Sequence, residues 1–231
     1  MFIKRGNICN VASSGRKSCI EIAYTLGVKR FILMSANGVK PDGTGYQKTK
    51  WKAEEILKES GSKWTIFQPS LIFGECGHEG SSEFCKQIRD DMLSLPIPAP
   101  MFYKGLSPIN AGSFSLSPIH VKNVAEFFVT AINQKESIGK VYILGGSETI
   151  TWKKIIYKIA RASGKPTWRV PVPLILIKAV AALFDRYEWF PVTRDQLVML
   201  MEGNTVDKHY FTNFGIEPIP FEIDNLNYLK K

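Results

Sequence analysis

The sequence predicts an α/β protein built on a parallel sheet, and three neighbouring features point there. An apolar run, Arg30-Phe31-Ile32-Leu33-Met34, ends at Ser35 and reads as a buried strand. A helical stretch follows from Tyr46 to about Ser60. A second apolar run, Trp64-Thr65-Ile66-Phe67, then leads through Gln68-Pro69-Ser70-Leu71-Ile72-Phe73 to Gly74. Two strands joined by a helix at this spacing form a crossover unit, and such crossovers make parallel sheets.

Each element has a local reason. Residues 10–27 read as a helix from about Ser14, with Cys19, Ile20, Ala23 and Leu26 on its apolar face and Gly27 at its end. Gly38, Pro41, Asp42, Gly43 and Gly45 mark a turn-rich crossing after Ser35. Thr44 is placed to cap the next helix, which aligns Tyr46, Lys50, Ala53 and Leu57 along one stripe and stops at Gly61. From Glu75 to Ser117 the pattern breaks at Gly77, Gly80, Pro96, Pro98, Pro100, Pro108 and Gly112, and only 82–94 reads as helical. A long irregular insertion beside strand ends is where α/β proteins place ligand-contacting loops. A helix over about 122–134 points Val124, Phe127, Phe128 and Ala131 inward. A strand at 140–144 ends at Gly145-Gly146, and Thr151 opens a helix to about Ser163. A Pro-rich turn spans Pro166 to Pro173, the apolar stretch Val170–Phe184 reads as a core helix, and Thr193 to about Glu202 reads as helical.

Composition narrows the function classes. The chain has 231 residues, 45% hydrophobic and 22% charged, as expected of a soluble globular protein. Its net charge is +9, but the lysines are scattered, and no arginine-rich run, zinc spacing or aromatic-plus-basic motif supports nucleic-acid binding. Cys9, Cys19, Cys76 and Cys85 form no C-x-x-C, so reduced thiols in a cytosol-like compartment are expected. The opening residues lack a signal-peptide core. Val170–Phe184 is too short to span a bilayer, though it leaves peripheral contact with a membrane surface open.

The residues that carry chemistry cluster around the first crossover. Tyr46 and Lys50 stand four apart on one helix face, and Ser35 ends the preceding strand. A phenol is a poor proton relay at neutral pH, and an ammonium beside it favours its anion. A hydroxyl such as Ser35 could hold a substrate oxygen while Tyr46 gives or takes its proton. Tyr-x-x-x-Lys alone is a weak signal, because a chain with eight tyrosines and this much lysine contains about one by chance. The strand, serine, turn and helix around it give the pair its weight. His120 and Phe73 are candidate substrate contacts, although a histidine after a strand more often belongs to the core. Glu75, Cys76 and His78 lack a fourth ligand at sensible spacing, so no metal site is expected.

In this order the motifs resemble the short-chain dehydrogenase/reductase superfamily, in its extended or atypical branch of epimerase/dehydratase-like proteins. That branch includes the nucleotide-binding accessory subunit of respiratory complex I. The match rests on Gly27–Gly38 with its terminal Ser35, on Tyr46-Gln-Lys-Thr-Lys50, on Trp64–Gly74, on Ser117-Pro-Ile-His-Val121 and on Phe190–Gln196 with the Phe-Gly-Ile-Glu-Pro tail. The resemblance implies a Rossmann-like parallel sheet and NAD or NADP as cofactor. It implies Tyr46 as acid/base, Lys50 tuning it and bonding the nicotinamide ribose, and Ser35 orienting the substrate oxygen. Pro69, Ser70 and Ile72 would line the nicotinamide end of the cofactor. Residues 1–75 would then be the C-terminal part of the dinucleotide-binding domain, and 76–231 a small, interleaved substrate-side region with returning strands and helices, of which 117–146 would rejoin the sheet.

The sequence also departs from the family. No Gly-rich turn on a helix N-terminus opens the chain to hold a pyrophosphate, and no acidic residue follows a second strand to hold the adenosine ribose. By the resemblance the fold is truncated at its N-terminus, leaving a sheet edge for a protein partner or a second copy to cover. Gln68 stands where the family often has Arg, and Asn123 where it often has Asp. The expected function is an oxidoreductase or epimerase acting on a small carbonyl or hydroxyl substrate. The alternative is a non-catalytic accessory protein, cytoplasmic or peripheral at the inner face of a membrane, or an inactive fragment.

Overall fold

The computed structural model describes residues 19–75, 83–96, 98–103, 105, 107–173, 175, 199, 202 and 204–230. Helical residues 19–25 (α1) precede β1 (Arg30–Met34), α2 (Gly45–Glu59), β2 (Lys63–Pro69) and β3 (Ile72–Phe73). Next come α3 (Phe84–Gln87), which runs into a π-helical stretch at Ile88–Leu93, then β4 (Ala99–Tyr103), β5 (Ser115–Leu116) and β6 (Ile119–His120). They are followed by α4 (Val121–Asn133), β7 (Lys140–Leu144), β8 (Ile150–Thr151), α5 (Trp152–Ser163) and β9 (Arg169–Pro173). A short helix α6 (Phe211–Phe214) and a 3-10 stretch at Ile223–Lys230 complete the order.

The sheet is parallel, as the crossover pattern requires. Its order is β1-β2-β7, with Phe31 opposite Trp64, Met34 opposite Phe67, and Phe67 opposite Tyr142. The central strand β2 is covered on both faces. Successive residues of a strand point to opposite sides, so Ile66 packs with Leu33, Ala53 and Leu57, and Phe67 with Val124, Phe127, Tyr142 and Phe214. Arg30 ties the far end together: its guanidinium donates to Thr65 Oγ1 (2.7 Å), Ala131 O (2.8 Å), Ser137 Oγ (2.9 Å) and Lys63 O (3.1 Å).

A separate core gathers around Trp152. Phe102 and Phe114 stack on its indole at 6.0 and 5.5 Å, and its Nε1 donates to Pro100 O at 3.1 Å. Ile155, Ile156 and Ile159 of α5 are buried in the same cluster with Phe73, Phe84, Leu116 and Phe221. At its border Glu83 accepts from Cys85 N (3.0 Å) and Lys86 N (2.9 Å) and bonds the Cys85 and Tyr228 side chains, while Gly74 N donates to Tyr228 Oη at 3.1 Å. Burial raises the Glu83 carboxyl above its usual range, although these bonds oppose the shift. Burial, with Glu83 adding to it, pushes the Cys85 thiol well up. Burial, then Cys85 and Glu83, likewise raises the Tyr228 phenol.

Several expectations are corrected. Pro166–Pro173 is not wholly a turn, because from Arg169 the chain forms β9, which pairs in parallel with β4 from Ala99↔Arg169 to Tyr103↔Pro173. The prolines are tolerated because, among the described residues, β9 pairs only with β4 and so lies at an edge. Val170–Pro173 is therefore strand rather than the start of a helix, and residues 176–184 lie outside the described residues. The stretch at 82–94 is α-helical only over Phe84–Gln87 before widening into the π-helical turns. Of the face expected on α1, Ile20 is buried but Cys19 and Leu26 are exposed. Thr151 precedes α5 without a side-chain cap. The helix expected at 193–202 lies almost entirely outside the described residues.

Candidate active site

The C-terminal ends of β1, β2 and β7 meet, and the candidate residues gather there. Ser35 follows β1 directly. Its N–H donates to Phe67 O at 2.7 Å, its residue is 3% exposed, and its Oγ is enclosed without a hydrogen-bond partner among the described residues. Lys50, reaching back from α2, donates its Nζ to Met34 O at 3.0 Å and lies 5.7 Å from the Tyr46 ring centroid. Both side chains are half-buried. The peptide before Ser35 is thus held by the cation that stands over the phenol. Further along the same edge, Asn37 N bonds Pro69 O at 3.0 Å and Ser70 N bonds Leu144 O at 2.7 Å. The Ser70 hydroxyl donates to Ser117 O. Ser35, Tyr46, Lys50, Pro69 and Ser70 therefore occupy one edge, where parallel sheets bind ligands.

The other candidates sit behind this edge. Ile72 is half-buried and packs against the core around Phe67, and Phe73 is fully buried in the Trp152 core. His120 is 8% exposed, T-stacked on Phe73 at 5.0 Å, and caps α4 by accepting from Lys122 N at Nδ1 (3.1 Å). Burial, then Lys122, lowers its pKa, so the imidazole is a neutral capping group in this setting. Gly145 and Gly146 form a close approach: a Cβ on Gly146 would collide with Pro118 O.

Residues outside the expected set shape the site. Gln47, 1% exposed, completes a capping box: its Oε1 accepts from Thr44 N at 2.8 Å, and its own N–H reaches Thr44 Oγ1 at 3.3 Å. Its Nε2 donates to Gly38 O (2.8 Å) and Glu202 Oε2 (3.0 Å), and Lys40 bonds the other Glu202 oxygen at 2.7 Å. Asn37 Nδ2 meets Thr205 O at 3.3 Å. The loop from Ser35 to Thr44 is thereby fastened to the helix carrying Tyr46 and to a distant segment. The pairing Thr44-x-x-Gln47 was a signal in the sequence, whereas Glu202 had none. Gln68 donates to buried Glu54 at 2.8 Å. Asn123 uses its amide fully, donating to Glu126 Oε2 (2.9 Å) and Glu217 O (2.8 Å) and accepting from Ile219 N (2.8 Å). An Asp at 123 could not make the two donations. The spacing G-x-x-G-x-x-G does occur once, at Gly74, Gly77 and Gly80, but it follows β3, and Gly77 and Gly80 lie outside the described residues.

Among the described residues no cluster of His, Cys, Asp and Glu could hold a metal, and no helix is long and apolar enough to cross a membrane. In fold and in sequence the chain is similar to epimerase/dehydratase-like members of the short-chain dehydrogenase/reductase superfamily, the resemblance its motifs suggest. No protein-family model matches it. UDP-glucose 4-epimerase of Vibrio cholerae is 25% identical over 196 residues, covering 76% of this chain and 56% of that protein. The 40 kDa subunit of mitochondrial NADH-ubiquinone oxidoreductase from Neurospora crassa is 22% identical over 223 residues, covering 95% of this chain and 54% of the subunit. The chain thus spans a little over half the length of these curated relatives. Among solved structures, the NADPH-dependent quinone oxidoreductase QOR2 of Escherichia coli, complexed with NADPH, superposes with a TM-score of 0.69 at 14% identity, covering 99% of this chain and 75% of that one.

Proposed function

We propose that the chain is an NAD(P)-binding, oxidoreductase- or epimerase-like protein, with Tyr46 as the proton donor or acceptor for a carbonyl or hydroxyl substrate. The observation that supports this most is Lys50, whose Nζ bonds the peptide next to an enclosed, partnerless Ser35 hydroxyl and stands over the Tyr46 ring. Buried hydroxyls without partners are rare in folded proteins, and one at the carboxyl end of a parallel sheet fits a site awaiting a polar ligand. The residues present fit the nicotinamide end of a dinucleotide: Lys50 and Tyr46 would hold its ribose, and Pro69 and Ser70 would flank its ring, with Ile72 packed behind them. When bound, the nicotinamide supplies hydride exchange. The chain's own part is to hold the substrate oxygen at Ser35, to move a proton at the Tyr46 hydroxyl, and to favour the phenolate through the Lys50 charge. The relatives named above support the cofactor class.

The test is turnover of NADH or NADPH against a panel of small carbonyl compounds. Tyr46→Phe should lower the rate by about 10²- to 10⁴-fold, the usual contribution of a positioned acid/base. Equal turnover by Tyr46→Phe would remove Tyr46 from the reaction.

One observation favours a second reading, a non-catalytic accessory protein: the Ser35 hydroxyl is closed off from solvent as well as unpartnered. A partner protein or second copy over the β1 edge would suit that role, since β1 pairs only with β2 among the described residues and Val28 and Met34 are exposed beside it. Under this reading Tyr46→Phe leaves partner binding intact and there is no turnover to lose.

A further inference from the structure

We propose that the β4–β9 ribbon is a docking face for an anionic lipid surface. Three observations bring this together. The first is charge. Residues 92–125 and 149–175 contain no Asp or Glu, yet include Lys104, Lys122, Lys153, Lys154, Lys158, Arg161, Lys165 and Arg169. Acidic groups reach this lobe from other segments: Glu222 bonds Lys158 at 2.7 Å, Asp90 lies in the field of Lys165, Asp91 and Asp224 stand on stretches packed against α5, and Glu83 lies at the border of the core. The second is apolar projection. Ile109 is 89% exposed and Trp168 71%, and Val170 is exposed on the same strand as Arg169. Ile109, Lys153, Arg169 and Pro171 share the rim of one depression of about 310 Å³ with Met101 at its floor, so cation and aliphatic side chain stand together. The third is the strand edge itself. Pro171 and Pro173 carry no N–H, which makes β9 a poor template for an added strand.

These features fit the boundary of a bilayer better than another polymer. A tryptophan settles at headgroup level, an aliphatic side chain enters the acyl boundary, and lysine and arginine meet the lipid phosphates. Single-stranded nucleic acid would stack on a run of rings, whereas the exposed aromatic residues here, Trp168 and Tyr157, lie on separate segments. Trp168 directly precedes β9, whose Arg169 and Pro171 share the depression with Ile109.

Flotation of the purified chain, without nucleotide, tests this independently of any cofactor site. Vesicles of phosphatidylcholine mixed with phosphatidylglycerol should carry the chain upward at low salt and less so at high salt, and phosphatidylcholine alone should not. Ile109→Ser with Trp168→Ser should weaken binding about tenfold, and Lys153→Gln with Arg169→Gln by a similar factor. All four side chains are exposed, so thermal melts should be unchanged and the loss attributable to the face. Failure to float with the mixed vesicles would overturn the proposal, as would flotation undiminished in both double variants. Retention on single-stranded DNA or an acidic peptide without flotation would overturn it too, by giving the charge a different partner.

Discussion

Two hydroxyls in this molecule, one half-buried at Tyr228 and one enclosed at Ser35, are treated in opposite ways. Tyr228 Oη, at the border of the Trp152 core, accepts from Gly74 N and bonds Glu83 and Cys85, in a cluster where every titratable member is driven toward its neutral form. Ser35 Oγ, at the carboxyl edge of the sheet, has no partner and sits beside a bound ammonium. A cluster whose polar groups bond one another holds a fold together, whereas unspent hydrogen-bonding capacity beside a cation suits a ligand. The difference separates a polar cluster that serves the fold from a polar group with bonding capacity left for a ligand.

The largest expected effect falls on the saturated side. Tyr228→Ala removes the ring and strands Glu83 and Gly74 N, and should cost about 3–5 kcal/mol of unfolding free energy. Tyr228→Phe, which loses only the hydroxyl, should cost about 1–3 kcal/mol in urea melts. Near-neutral behaviour of Tyr228→Phe would show that the cluster is not saturated after all.

Glu83 sharpens the contrast through pH. Its folded pKa lies above its ordinary value near 4.5, so folding favours the neutral carboxyl more than the unfolded chain does. The associated stability is fully present below that ordinary value and is lost as pH rises through the raised folded pKa. Glu83→Gln should flatten this decline. Urea midpoints of the two proteins from about pH 4 to about pH 8 would reveal it, and parallel curves would contradict it.

Smaller effects belong to the sheet edge. Thr44→Ala breaks the capping box with Gln47 and should destabilise by about 1 kcal/mol. Ser35→Ala should be neutral or slightly stabilising in the same melts, because it removes a buried polar atom that has no bond to lose. A cost of about 2 kcal/mol or more would mean that Ser35 is structurally bonded and would erase the contrast with Tyr228.

The parts legible in the sequence are those whose cause is local. β1, α2 and β2 followed from apolar runs, from Thr44 as a cap and from Gly61 as a stop, and α4 from the spacing of Val124, Phe127 and Ala131. The face placing Tyr46 and Lys50 together followed from their four-residue separation. β9 was hidden because its prolines read as a turn, and only pairing with β4 makes them an edge strand. The Gln47–Glu202 bond joins residues 155 apart, a distance over which no local pattern reports. That the Ser35 hydroxyl is shut in could not be read either, since it depends on how the loops after β1 and β2 close over the strand ends.

The central claim is that this edge receives a nicotinamide dinucleotide. The direct measurement is a calorimetric titration of the purified chain with NADH and with NADPH, repeated on Lys50→Met. Saturable binding of at least one of them is expected, weakened about tenfold or more in the variant, as loss of a charge-assisted hydrogen bond would do. A well-folded chain that binds neither, or a Lys50→Met chain that binds equally well, would contradict it.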